Sequence, residues 1–145
     1  MKKGVYYVGD PCYVLGSDHK RWMRLLKESR YFNGFDPDSE EELRVRFWEG
    51  LFEDHNMAGG STAFGDGTYV DNYGNSYPVD SGIIGIVPIE LCDNIDMDNM
   101  KHIHDGGMVI NFGKDFNIMM DGKGKFTFGH IEIDTTNEEN YESYY

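Results

Sequence analysis

Glycine punctuates this chain at short intervals, and that spacing limits the fold more than any other feature. The 18 glycines of the 145-residue chain fall between short apolar runs and not in one tract, while proline is held to 4. Such a pattern calls for many tight turns, because glycine reaches backbone conformations that other residues resist. Beyond His55, the pieces Gly59-Gly60, Gly65-Asp66-Gly67, Asn72-Tyr73-Gly74-Asn75 and Asp80-Ser81-Gly82 separate strand-like segments at Thr62–Phe64, Thr68–Val70 and Ile83–Val87. Pro88 to Cys92 reads as a turn of helix or a loop, followed by an acidic connection from Asp93 to Asp98. Met108–Phe112, Phe116–Met120, Phe126–Phe128 and His130–Ile133 then form a meander, joined by hairpin chemistry at Gly113-Lys114 and Asp121-Gly122-Lys123-Gly124.

The first third has a different texture. Val5–Val8 is β-prone, Asp10-Pro11 interrupts it, and Cys12–Leu15 is expected to resume the strand. Asp18 to Ser29 reads as a helix: Trp22, Leu25, Leu26 and Ser29 fall on one stripe, and Ser17 or Asp18 can cap it. After a loop over Tyr31–Asp38, Ser39 and Glu42 have the spacing of a capping box. Leu43, Phe47 and Leu51, widened by Trp48 and Phe52, predict a second helix from about Glu40 to Phe52. A strand through Leu43–Trp48 fits the alternation of Leu43, Val45 and Phe47 as well.

These readings combine into one α+β domain over residues 1–134, mainly antiparallel sheet, with two helices from the N-terminal half packed on one face. Ile83–Val87 is apolar on both faces, which implies burial from both sides. Residues 135–145 are polar and acidic without periodicity, and are expected to form a loosely held, tyrosine-containing tail.

Charge excludes several partners. With 26 acidic and 13 basic residues the net charge is -13, which opposes approach to nucleic-acid backbone and anionic membrane. The local basic group from His19 to Arg24 and Lys27 does not reverse that balance. Acidity of this size serves solubility first; its sharper use is capture of a basic partner or mimicry of nucleic acid. No apolar run has membrane-spanning length, and the apolar stretch near the start breaks at Gly9-Asp10-Pro11, too early for a signal-peptide core. The two cysteines, Cys12 and Cys92, form no CxxC pair and suit a reducing compartment, so a cytoplasmic location is expected; one long-range disulfide is permitted and not required.

Three groups of residues could carry chemistry. In Gly9-Asp10-Pro11-Cys12-Tyr13, proline holds Asp10 extended, and Cys12 could act as a nucleophile with His19, His55, His102, His104 or His130 as base. A buried structural cysteine beside an aspartate turn is the stronger reading. Asp66, Asp71 and Asp80 form a carboxylate-and-glycine group that could bind a hydroxyl or a cation, although Asp-Gly is ordinary turn vocabulary. Asp80 stands out at the mouth of an apolar strand, either locked to backbone donors or facing a cleft. Asp93, Asp96, Asp98, His102, His104 and Asp105 form the third group, in which a strand would put His102 and His104 on one face. Their spacing matches no EF-hand, HExxH or zinc-ribbon pattern, so a solvated loop outweighs a metal site, and neither metal nor cofactor is expected. No phosphate-binding loop, dinucleotide fingerprint or GxSxG elbow occurs in the sequence.

The segments from Tyr7 to Val14, Trp22, Gly65-Asp66-Gly67-Thr68-Tyr69 and Val79 to Pro88 together resemble a family of small proteins of bacteriophages and bacteria. Its members share an opening GDPCY strand and a later VDSGxxGIVP strand, and the matching positions span roughly residues 4 to 92. The resemblance implies a phage-type accessory protein and carries over no catalytic residue. The expected function is therefore a non-enzymatic acidic binding protein acting on a host protein, with Tyr141, Tyr144 and Tyr145 of the tail as candidate contacts. One rival is an enzyme or small-ligand binder using a cleft near Asp10, Cys12, Asp66 and Asp80. The other is a virion or structural component.

Overall fold

The alternation in Gly4–Gly9 sets the layering of the molecule. Successive side chains of a strand point to opposite faces, so Tyr6 and Val8 enter one apolar cluster while Tyr7 enters another. A computed structural model describes residues 1–28 and 47–137, with the backbone of 141–142. Its elements in chain order are β1 (Gly4–Gly9), α1 (Cys12–Leu15), α2 (His19–Glu28), β2 (Phe47–Phe52), β3 (His55–Ser61), β4 (Gly67–Val70), β5 (Ser76–Val79) and β6 (Ile83–Pro88). After a 3₁₀ turn at Ile89–Leu91 come β7 (Ile95–Asp96), β8 (Lys101–His102), β9 (Gly107–Phe112), β10 (Ile118–Met120), β11 (Lys125–Phe128), β12 (Ile131–Asp134) and β13 (Tyr141–Glu142). The fold is α+β and mainly antiparallel.

Seven strands form the principal sheet in the order β2-β3-β6-β1-β9-β8-β7, with β1 at its centre. One face is covered by the two helices: Val14, Leu15 and Leu25 pack with Tyr7, Trp48, Phe52, Met57, Val87 and Leu91. The other face carries Tyr6, Val8, Ala58, Ile84 and Ile86 and is closed by two three-stranded sheets, β10-β11-β12 and β13-β4-β5. Tyr69, Tyr77, Val79, Phe126, Phe128, Ile131 and Ile133 supply that second layer. Ile83–Val87 is thus buried from both sides, but small sheets and not helices close one of them. Each fully buried side chain of this kind contributes about 1.5–3 kcal/mol.

A row of glycines crosses the helix-covered face. Trp48 pairs with Gly59, Gly59 with Gly85, Gly85 with Gly9, and Gly9 with Gly107, each on a different strand. The trench this leaves is filled from beside and above. A Cβ on Gly59 would lie 2.9 Å from the Trp48 indole, one on Gly85 3.0 Å from the Pro11 ring, and one on Gly107 2.6 Å from the Tyr7 ring. The Pro11–Leu15 turn is thereby set down against bare backbone.

Several expectations are corrected. Cys12–Leu15 is a helical turn, not a resumed strand: it buries the adjacent residues Val14 and Leu15 together, which a strand cannot do on one face. Phe47–Phe52 is a strand, not the end of a second helix; residues 40–46 lie outside the described residues, as does the loop over 31–38. Trp48 and Phe52 are buried four residues apart, a spacing that satisfies a strand as well as a helix. Thr62–Phe64 is not a strand, since the ladder ends at Ser61 and the Thr62 hydroxyl turns to donate to the Gly65 carbonyl. The C-terminal segment, expected as a loose tail, returns at Tyr141–Glu142 to pair with Tyr69 and Thr68.

The first predicted helix forms as α2. The Asp18 carboxylate accepts from the backbone N–H groups of Lys20 and Arg21, capping it. Arg21 and Arg24 fasten it to Glu53, and the Arg24 guanidinium lies 4.9 Å from the centre of the Phe52 ring. Glu53 and Asp54, both at positive φ, make the two-residue turn between β2 and β3.

Candidate functional site

Asp10 follows β1 and is fully buried, and its carboxylate accepts four hydrogen bonds. Oδ1 accepts from the Cys12 backbone N–H at 2.9 Å and the Ser81 hydroxyl at 2.6 Å. Oδ2 accepts from the backbone N–H groups of Asp80 at 2.8 Å and Ser81 at 2.7 Å. The two glycine-bracketed segments, some seventy residues apart, therefore meet at this one side chain. A carboxylate with both oxygens filled by fixed donors is held in one orientation, and its lone pairs are spent inside the fold.

The neighbours extend the same lock. Tyr13 donates its hydroxyl to Asp80 Oδ2 at 2.6 Å, so the exposed Asp80 carboxylate ties the α1 turn to the end of β5. The Tyr7 hydroxyl lies 2.8 Å from the Asp10 carbonyl and 2.7 Å from the Gly106 carbonyl, sharing one proton between them. His102, buried, has Nε2 3.2 Å from the Tyr13 carbonyl, while Nδ1 accepts from the backbone N–H groups of His104 and Gly106. That pattern requires the neutral tautomer with its proton on Nε2. Burial holds the imidazole below its usual range, more strongly than the Tyr13 carbonyl raises it.

Cys12 sits half-buried beside Asp10. Burial first, and the Asp10 charge second, push its thiol well above the ordinary range, opposite to what a nucleophile needs. Burial likewise pushes Cys92 up to about 12, and both cysteines are free thiols. Among the possible bases, His102 reaches this segment, but through a carbonyl and with both nitrogens occupied. His55 has Nδ1 against the Glu53 carbonyl, and His19 and His104 are exposed.

The remaining candidates are held in turns of their own. Asp66 is half-buried in the turn before β4, where Gly65 accepts from the hydroxyls of Thr62 and Tyr69. Asp71 is a second internal lock, accepting from the backbone of Tyr73 and Asn75, the Asn75 amide and the buried Tyr77 hydroxyl. His102 and His104 do not share a strand face: one is buried, the other exposed on the turn between β8 and β9, with ring centres 5.8 Å apart. Asp96 folds onto the backbone of Asp98 and Asn99, and Asp105 pairs with Lys101. Among the described residues no three His, Cys, Asp or Glu side chains converge to hold a metal ion. No helix there is long and apolar enough to cross a membrane. Tyr141 belongs to β13, and Tyr144 and Tyr145 lie outside the described residues.

Sequence reasoning missed Tyr7, Tyr13 and Ser81 as members of the lock. Ser81 was legible as the small residue after an aspartate; the tyrosines carry no local signal. Open space lies elsewhere. A cleft of about 630 Å³, lined in part by Lys2, Tyr6, His55, Glu90 and Asp115, sits at the far end of β1 from Asp10. Hollows of about 420 and 260 Å³ flank His130. Comparison with family models, with curated proteins and with solved structures returns no match.

Proposed function

We propose that this chain is a small acidic binding protein, of phage-accessory type, that acts in the host cytoplasm by occupying a host protein and not by catalysis. One observation carries the reading: the reactive groups of the two distinctive segments are spent on the fold. Asp10 has four internal donors, Cys12 is held as a protonated thiol, and both nitrogens of His102 are engaged. The net charge of -13 then favours a basic partner and speeds its encounter. Exposed apolar side chains such as Leu51, Tyr73 and Met119 offer contact area.

The test is capture from bacterial lysate with immobilised protein at low and moderate salt. A basic protein retained at low salt, and released more readily as salt rises, is expected. Failure to retain any protein under either condition would overturn the reading.

A further inference from the structure

We infer that His102 is a proton-operated latch: uptake of one proton at Nδ1 unseats the turn over residues 103–106, between β8 and β9, while the central sheet stays folded. The inference is independent of the binding-protein reading. In the closed form Nδ1 accepts from the backbone N–H groups of His104 at 3.1 Å and Gly106 at 3.2 Å, and Nε2–H donates to the Tyr13 carbonyl at 3.2 Å. One buried ring thereby ties its own turn to the α1 turn. Only the neutral ring can do this. A proton at Nδ1 would face two N–H donors, and an imidazolium has no acceptor to offer them. Its Nε2–H keeps the Tyr13 carbonyl, so the ring stays seated and the backbone of the turn departs.

The turn is held lightly enough to leave. β8 meets β9 at the single register pair Lys101↔Met108, with one further bond from the Val109 N–H to the Met100 carbonyl. Asn94, Met100 and Asp105 in this segment hold φ of 62°, 54° and 58°, the left-handed region that is costly for residues other than glycine. Apart from the ring, the turn is fastened by the Tyr7 hydroxyl on the Gly106 carbonyl, the Ile103 N–H on the Asn94 carbonyl and the exposed Lys101–Asp105 pair. The sheet beyond it is held differently, since β9 pairs with β1 over all of Gly107–Phe112. Sparse bonding on one side of Gly107 and a full ladder on the other make the turn a separate opening unit. When it opens, the Tyr7 hydroxyl is left with the Asp10 carbonyl alone, so the change reaches the residue that carries the lock.

The surroundings of the ring set where it takes the proton. On its own element Asp105 attracts the charge and His104, with its ring centre 5.8 Å away, repels it, while Lys101 is paired to Asp105. Asp96 of β7 stands opposite Lys101. The α1 turn contributes Tyr13, whose ring centre is 5.5 Å away and whose hydroxyl is bonded to Asp80, and β1 contributes Tyr7 through Gly106. Burial outweighs the attraction of Asp105 and the Tyr13 carbonyl. The closed turn is therefore fully present above the ordinary histidine value of about 6.5 and is lost as pH falls from there towards the value of the closed form.

The test follows backbone amides and histidine rings of the wild-type protein by nuclear magnetic resonance from about pH 8 to about pH 4.5. His102 is expected to carry its neutral proton on Nε2. The His104 and Gly106 amides are expected to shift and to lose hydrogen-exchange protection about tenfold or more, with the midpoint of the His102 ring, while the β1–β9 amides stay protected. His102→Gln has no titrating ring and is expected to abolish the transition. His104→Asn, at an exposed position, removes the neighbouring charge and is expected to keep the transition and move its midpoint up. Unchanged His104 and Gly106 amides while His102 titrates, a midpoint apart from that of the ring, loss of protection throughout the sheet at the same pH, or survival of the transition in His102→Gln would each overturn the inference. Should His102→Gln fail to fold, the wild-type and His104→Asn midpoints decide the matter by themselves.

Discussion

Ser81 holds Asp10 twice, its backbone N–H donating to Oδ2 at 2.7 Å and its hydroxyl to Oδ1 at 2.6 Å. With the N–H groups of Asp80 and Cys12 this leaves a buried carboxylate whose removal exposes fixed donors to nothing.

Asp10→Asn is expected to cost about 3 kcal/mol or more, because its amide would point a donor at two donors. Ser81→Ala should cost about 1–2 kcal/mol, since the backbone bond to Oδ2 remains. Urea denaturation of the three proteins measures both. An Asp10→Asn protein as stable as the wild type would show that the lock contributes little.

The glycine row predicts a contrast between two alanine substitutions. At Gly107, with φ of +151°, a Cβ would meet the Tyr7 ring and, at 2.7 Å, the Val8 carbonyl. Gly107→Ala is expected to lose about 2 kcal/mol or more. A Cβ at Gly113 meets nothing within 4 Å, so Gly113→Ala should stay within about 0.5 kcal/mol of the wild type. Equal melting temperatures for the two variants would contradict the close packing of the trench.

His102 gives the stability a dependence on pH. Its folded-state affinity for a proton is lowered, chiefly by burial, so protonation favours the unfolded chain. The contribution is fully present above the unfolded value of about 6.5 and is lost as pH falls from there towards the folded-state value. In His102→Gln, thermal melts between about pH 5 and pH 8 should show a shallower acid loss than in the wild type. Parallel curves would assign the acid sensitivity to other groups.

Thiol chemistry separates the fold-locking role of Cys12 from a catalytic one. With Cys92 pushed up to about 12 and Cys12 raised by burial and by Asp10, both should react slowly in the native protein. At about pH 8 the thiolate fraction near Cys92 falls on the order of a thousandfold below that of an ordinary thiol. Iodoacetamide labelling followed by peptide mapping gives the rates. Labelling of Cys12 as fast as free glutathione would restore it as a nucleophile.

Much of the β architecture was readable because its signals are local: Ile83–Val87 declares itself as a short apolar run between turns, and Met108–Phe112 and Phe126–Phe128 as short apolar pieces joined by hairpin turns. β2 was not, since Trp48 and Phe52 obey both periods and its turn is built from Glu53 and Asp54 instead of glycine. The α1 turn hid behind β-prone residues whose conformation is set by tertiary contacts, Pro11 over Gly85 and Asp10 under Ser81. For the site, the sequence framed a lock to backbone donors at Asp80; the donors converge on Asp10 instead, and three of its four hydrogen bonds come from residues some seventy positions away, where no local pattern could announce them.

The trench has a consequence for inheritance. Its floor is contributed by four separated glycines and its filling by Trp48, Pro11 and Tyr7, so a larger residue at Gly85 would press on the turn that presents Asp10 and Tyr13, and one at Gly59, Gly9 or Gly107 would press on Trp48 or Tyr7. Selection on such a chain acts on these positions jointly. Distant descendants are expected to keep the missing side chains, and the order of strands that aligns them, after every exposed residue has drifted.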